Sequence, residues 1–163
     1  LMPLVTLGMF VLFLIVPGID PLKANIVKFR ESFNLFIVLI IAFMLYIHGL
    51  TLAWSLGFTN FKMSAAMLPF MGVLFIAIGF MLRKAKRNVF IGIRTPWTLS
   101  SDSVWEKTHQ LGSILFMASG AFAFIGGVFG GMIAFWLMFV PLIGSSLFLV
   151  VYSYVLYRNE TKA

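Results

Sequence analysis

The side chains able to do chemistry are few and scattered. They are two histidines, His48 and His109, and five carboxylates, Asp20, Glu31, Asp102, Glu106 and Glu160, with no cysteine. Without cysteine there is no disulfide, no thiol nucleophile and no thiolate ligand for a metal. Two histidines alone make a closed metal site improbable, so neither metal nor cofactor is expected. No H-E-x-x-H, G-x-S-x-G or phosphate-cradling loop occurs. None of the five acids falls within an apolar run, so the intramembrane carboxylate relay of a proton-driven pump is missing. The residues provide no nucleophile–base pair and no acid/base pair, and the chain is not expected to be an enzyme. His48, in Tyr46-Ile47-His48-Gly49-Leu50, is the one ionisable group deep in an apolar run. Such a residue is a functional candidate. With no acidic partner in any run, a neutral imidazole bonded to a carbonyl or a Ser/Thr hydroxyl is the favoured reading.

The remaining polar chemistry is concentrated in segment 83–110. Arg83, Lys84, Lys86 and Arg87 form a basic cluster suited to anionic headgroups, at about 1 kcal/mol per charge near the surface. Residues 89–93 turn apolar again but are too few to cross a membrane, so they are expected to lie on or dip into the interface. Arg94 follows, placed to meet an acidic partner or a lipid phosphate. Pro96 biases Thr95 away from helical angles, so the chain is expected to be extended or turning there. Trp97 suits the headgroup level. Ser103 and Glu106 have the spacing of a capping box, with Asp102 favourable at the positive helix end, which predicts a helix from about Ser103. Trp105, His109, Gly112 and Phe116 then share one helical face. A partner touching the segment would push on the bundle through that face; alternatively Trp105 and His109 only seat the helix at the interface.

These residues must be positioned by membrane-spanning elements. The 163 residues are 61% hydrophobic and only 10% charged, against roughly 25% charged in a soluble domain. Mean hydropathy is +1.05. A span needs about 20 apolar residues for about 30 Å of hydrocarbon. Five stretches qualify: 1–16, 33–56, 64–82 with Pro69, 111–129, and 133–157 with Pro141. The first is short and the chain opens on Leu1, so a longer N-terminus is expected. The expected fold is an all-α polytopic membrane helix bundle with five spans, a single membrane domain over 1–163.

Charge sets the expected orientation. Segments 17–32, 83–110 and the C-terminal tail fall on one side and hold eleven of the twelve basic residues; only Lys62 lies opposite. By the positive-inside rule that side is cytoplasmic, with Leu1 outside and the C-terminus inside. The net charge of +7 is then a topology signal, and no direct nucleic-acid partner is expected. Gly126, Gly127, Gly130 and Gly131 surround the turn between the last two spans. A tight hairpin using positive φ is preferred there over a dimerisation face.

Asn88, then Gly92-Ile93-Arg94-Thr95-Pro96-Trp97-Thr98-Leu99, then Trp105, Lys107-Thr108-His109 and Gly112 together resemble the signature of the bacterial SdpI family. Pro17-Gly18-Ile19-Asp20-Pro21, Asn25 with Phe29, Tyr46 with His48, and Leu56-Gly57 resemble its earlier parts, so the likeness covers most of the chain. The resemblance implies an extra N-terminal helix ahead of Leu1, hence six spans with both termini cytoplasmic. It implies immunity against a secreted peptide toxin at the bacterial cytoplasmic membrane. It further implies, from its best-known member, signalling in which a cytoplasmic repressor is held at the membrane. The partners expected are the lipid bilayer, a peptide toxin, and a repressor or other membrane subunit. Arg94, Trp97, Trp105 and His109 are the leading candidates for the reporting surface. A small transporter, or an accessory subunit of a larger complex, is the alternative reading. The Gly-rich hairpin, the Pro-containing spans and His48 are compatible with it; the lack of intramembrane carboxylates and the small span count stand against it.

Overall fold

The computed structural model describes residues 1–162. The chain forms α1 (Met2–Ile19), α2 (Lys23–Val27), α3 (Arg30–Ser55), α4 (Met63–Lys84), α5 (Pro96–Ser100), α6 (Asp102–Phe129) and α7 (Gly131–Glu160), with no strand among the described residues. Five of these, α1, α3, α4, α6 and α7, are long and apolar enough to cross a membrane. The protein is an all-α polytopic membrane bundle. Its outward faces carry exposed Leu, Val, Ile and Phe such as Val38, Ile114 and Leu147, which lipid rather than water would solvate.

The helices run further than the apolar runs alone indicate. α1 continues through Pro17 to Ile19, because proline's fixed φ suits a helix and only one carbonyl is freed near the end. Segment 17–32 then holds α2 rather than a plain loop. α6 is one helix from Asp102. Its 28 residues extend about 42 Å, more than the hydrocarbon thickness, so its first turns stand outside the apolar layer.

The spine of the bundle is the α4–α6 pair, the most extensive helix contact in the chain. The two helices are antiparallel and approach through small residues. A Cβ on Gly72 would lie 2.6 Å from the Gly120 carbonyl oxygen, and one on Gly120 would lie 2.6 Å from the Gly72 carbonyl oxygen. One turn-pair along, a Cβ on Gly79 would meet the Ser113 carbonyl oxygen at 2.7 Å. At the far end Gly127 makes room for the Pro69 ring, 2.9 Å from its missing Cβ. Ser113, Gly120 and Gly127 recur every seven residues, which keeps them on one helix face. Small residues of this kind are what membrane helices use to bring backbones together.

The α6–α7 hairpin turns on Gly130 and Gly131, with φ of 68° and 60°. That conformation favours glycine. Gly126 lies against Ala134 across the turn, so these glycines serve the hairpin within the chain. At the opposite end, α1 leans on α3 through Phe13, whose ring meets Phe33 and Phe36 edge-on at 6.2 and 5.9 Å. Phe33 also belongs to a buried cluster with Ile26, Phe29, Met81, Ile91 and Trp105. This cluster ties α2, α3 and α4 to segment 85–105 at the charged end of the bundle.

His48 departs from its expected environment. It is half-buried in α3 and hydrogen-bonds to no described residue, whereas a carbonyl or hydroxyl partner was expected. The polar link between α3 and α4 comes instead from Tyr46, whose hydroxyl donates to the Ala66 carbonyl at 3.0 Å.

Candidate functional site: a hydrogen-bonded cap on the charged end

Segment 85–101 folds back over the ends of α4 and α6 and buries its own polar groups. Asn88 is fully buried. Its amide donates to the Lys86 and Ile91 carbonyls, both at 2.9 Å. Its oxygen accepts from the Phe90 and Ile91 N–H groups at 3.0 and 2.6 Å. One side chain therefore satisfies four backbone groups of a turn that has no helix or strand to satisfy them.

Asp20, at the end of α1, is also buried. One carboxylate oxygen accepts from the Leu22 N–H at 2.6 Å and the other from the Val89 N–H at 2.9 Å. Asn25 of α2 donates to the Arg87 carbonyl at 2.9 Å. The segment after α1 is thus pinned to the cap by two polar bonds as well as by the apolar cluster.

Trp105 and His109 lie one turn apart on α6, buried and stacked with ring centroids 4.0 Å apart. Trp105 Nε1 donates to the Ala85 carbonyl at 2.9 Å, satisfying the end of α4 while supplying a large apolar body. His109 Nε2 is 3.0 Å from the Ile93 N–H, and Nδ1 is 2.8 Å from the Trp105 carbonyl. An N–H only donates, so Nε2 accepts and Nδ1 carries the proton. The ring is therefore neutral with both nitrogens engaged, and no lone pair is left for a ligand or a proton transfer. Gly92, at φ 113°, passes against the His109 ring, where any Cβ would collide with it.

A second network fixes the cap to α7. Thr95 is extended (φ −96°, ψ 160°) and caps α5, with Pro96 at its first turn. Thr95 Oγ1 accepts from the Thr98 N–H, and Thr98 Oγ1 accepts from the Thr95 N–H. Thr98 Oγ1 donates to the Ile93 carbonyl at 2.8 Å. Ser153 of α7 donates to its own helix at Val150, so in the 3.0 Å pair the Thr95 hydroxyl donates to Ser153 Oγ. Trp97 lies half-exposed with its ring 5.1 Å from that of Tyr154.

The N-cap of α6 and the chain path at Pro96 differ from expectation. Ser103 and Glu106 do not form a capping box. The cap of α6 is Ser101, whose Oγ accepts from the Val104 N–H at 3.2 Å and donates to Glu160 at 2.8 Å. Glu106 faces Lys86 instead, at 3.7 Å. A reciprocal box does exist eight residues before the expected one, at Thr95 and Thr98. Thr95 is extended as expected, but the chain turns helical at the next residue, since Pro96 opens α5. Pre-set φ and a missing N–H suit proline to that position.

The remaining candidates divide by location. Asn88, Thr95, Trp105 and His109 are brought together as the buried frame of the cap, against which Gly92 runs. Arg94, Pro96 and Lys107 are exposed. Lys107 faces Glu160 at 3.8 Å. In the basic cluster Arg87 Nε lies 2.7 Å from Asp102 Oδ1, an ion pair without hydrogen-bond alignment. Arg87 Nη1 donates to the Leu99 carbonyl. Arg83 and Lys84 are exposed and make no ion pair among the described residues. Among those residues no group of three or more His, Asp or Glu is placed to hold a metal ion. Ser101 and Ser153 are not marked by the sequence, and Asp20 and Thr98 are marked only among the carboxylates or within longer strings, with no role of their own. The T-x-x-T spacing could have indicated Thr98, and Asp20 ahead of Pro21 has the form of a turn residue. Ser153 gives no sequence signal, being one of three serines in an apolar helix.

Bundle and cap together define a polytopic helical membrane protein with one end closed by a hydrogen-bonded loop. Residues 84–153 match the model of the SdpI/YfhL protein family. The matched stretch begins at the last residue of α4 and ends at Ser153, the partner of Thr95. It therefore contains the cap loop, α6 and most of α7. No curated protein and no solved structure matches the chain.

Proposed function

We propose that this chain is a non-enzymatic immunity protein that protects a bacterial cytoplasmic membrane against a membrane-active peptide. The observation carrying this reading is that the family match falls on the cap and the hairpin it is bonded to. The cap is joined to α7 at Thr95–Ser153 and Ser101–Glu160, and to α6 at Trp105 and His109. A peptide that shifts α6 against α7 would move the cap as a unit. Trp97, on its half-exposed rim beside Tyr154, is a contact suited to a cytoplasmic partner such as a transcriptional repressor. Expression in a sensitive host should raise survival under challenge with membrane-active peptides. Failure against every peptide, at verified membrane levels, would remove the immunity reading. Trp97→Ala should keep protection while abolishing capture of the soluble partner at the membrane. Loss of both together would show that Trp97 serves the bundle and not a partner.

In this reading the charged end faces the cytoplasm, as the excess of Lys and Arg there requires. A reporter active only outside the membrane, inserted at Asn60 in the short α3–α4 connection, should be active. Inactivity there, with activity when fused after Arg158, would reverse the orientation.

A further inference from the structure

α1 packs mainly on α3, which leaves its inner flank apart from the α4–α6 spine. The gap is a cleft of about 520 Å³, within the roughly 300–1,000 Å³ range of ligand pockets. Leu12 and Val16 of α1, Ile78 and Met81 of α4, and Phe116 of α6 give it hydrocarbon walls, and residues 90–94 of the cap form one end. Among the described residues Arg94 is the only charged one lining it.

Arg94 has no counter-ion among the described residues. Its Nη1 donates to the neutral Val89 carbonyl at 2.7 Å. Four of the five acids are engaged elsewhere: Asp20 with two backbone N–H groups, Asp102 with Arg87, Glu106 with Lys86, and Glu160 with Lys107. The Gly92 and Arg94 backbone N–H groups also meet no acceptor among the described residues, while those of Phe90, Ile91, Ile93 and Thr95 each do. One end of the cleft thus offers a guanidinium and spare N–H donors, and the rest offers hydrocarbon. A ligand that satisfies both has an anionic head and an apolar tail, and the bilayer surrounding the helices supplies such molecules.

We propose that this cleft is a lipid site, holding one acyl chain of an anionic phospholipid with its phosphate on Arg94. The delipidated protein in mild detergent should, by native mass spectrometry, retain one phosphatidylglycerol in preference to phosphatidylcholine of the same chains. The expected preference is about fivefold, the factor for one basic charge near the membrane surface. Arg94→Gln should erase the preference. Arg83→Gln, which removes an equal charge outside the cleft, should keep it. Leu12→Trp, at an exposed position on the cleft wall, should reduce retention of both lipids while leaving their ratio intact. Equal retention of the two lipids by the unaltered protein would overturn the proposal. So would loss of the preference in Arg83→Gln to the same degree as in Arg94→Gln, which would mark general surface attraction. Displacement of the lipid by inorganic phosphate at equal concentration would also overturn it, since the head alone would then suffice.

Discussion

Asn88→Ala is expected to destabilise the protein by about 4 kcal/mol. The side chain accounts for four hydrogen bonds, and two of them, to the N–H and the carbonyl of Ile91, are fully buried. A dry, unpaired backbone group costs about 1–3 kcal/mol, and alanine would leave both groups of Ile91 without a partner. The turn would escape that cost only by opening to water. Opening would draw Ile91 off Trp105 in the buried cluster and Ile93 off His109. The loss should appear as a drop of about 10 °C in the thermal midpoint in mild detergent, at the few degrees per kcal/mol usual for this chain length. Asn34→Ala is the matched control. Asn34 is exposed and meets only Arg30, so its replacement should stay within about 0.5 kcal/mol. Equal behaviour of the two variants would mean that the Asn88 network does not hold the cap.

Asn88, Thr95, Trp105 and His109 stand out in the sequence because dense polar chemistry is rare in an apolar chain. Their partners do not stand out, because the bonds are long-range. Asp20 reaches Val89 across 69 residues and Thr95 reaches Ser153 across 58, and neither pairing has a local pattern. The misplaced cap of α6 has a similar origin. Ser101 and Ser103 are both competent N-caps by type, and Glu106 favours Ser103 by spacing. Tertiary charge decides against it. With Ser101 as cap, Asp102 enters the first turn and pairs with Arg87, while the Ser101 hydroxyl reaches Glu160. Glu106, released from any capping role, faces Lys86.

The five spans were legible because hydrocarbon thickness sets their length, and each apolar run corresponds to a helix. Their packing was not legible. Gly72, Gly79 and Gly120 look like isolated helix glycines until α4 and α6 are laid antiparallel, when their backbones become nearest neighbours. That contact carries the second large prediction. Gly120→Val is expected to cost about 3 kcal/mol or more, the upper range for overpacking. Its Cβ would lie 2.6 Å from the Gly72 carbonyl oxygen and 2.9 Å from the Ile76 backbone nitrogen. Backbone atoms in a helix have no rotamer with which to yield, so the helices must separate. Separation would loosen the Gly79–Ser113 and Pro69–Gly127 contacts on the same face. It would also strain the Trp105–Ala85 bond, because the cap straddles the same two helices. Gly120→Val should therefore lower the thermal midpoint and also the yield of monodisperse protein. Gly8→Val adds the same side chain to α1, where nothing lies within 4 Å of the new Cβ, and it should leave both unchanged. If Gly120→Val matched Gly8→Val, close backbone approach would not be what joins α4 to α6, and the cap would have to be held by its own hydrogen bonds alone.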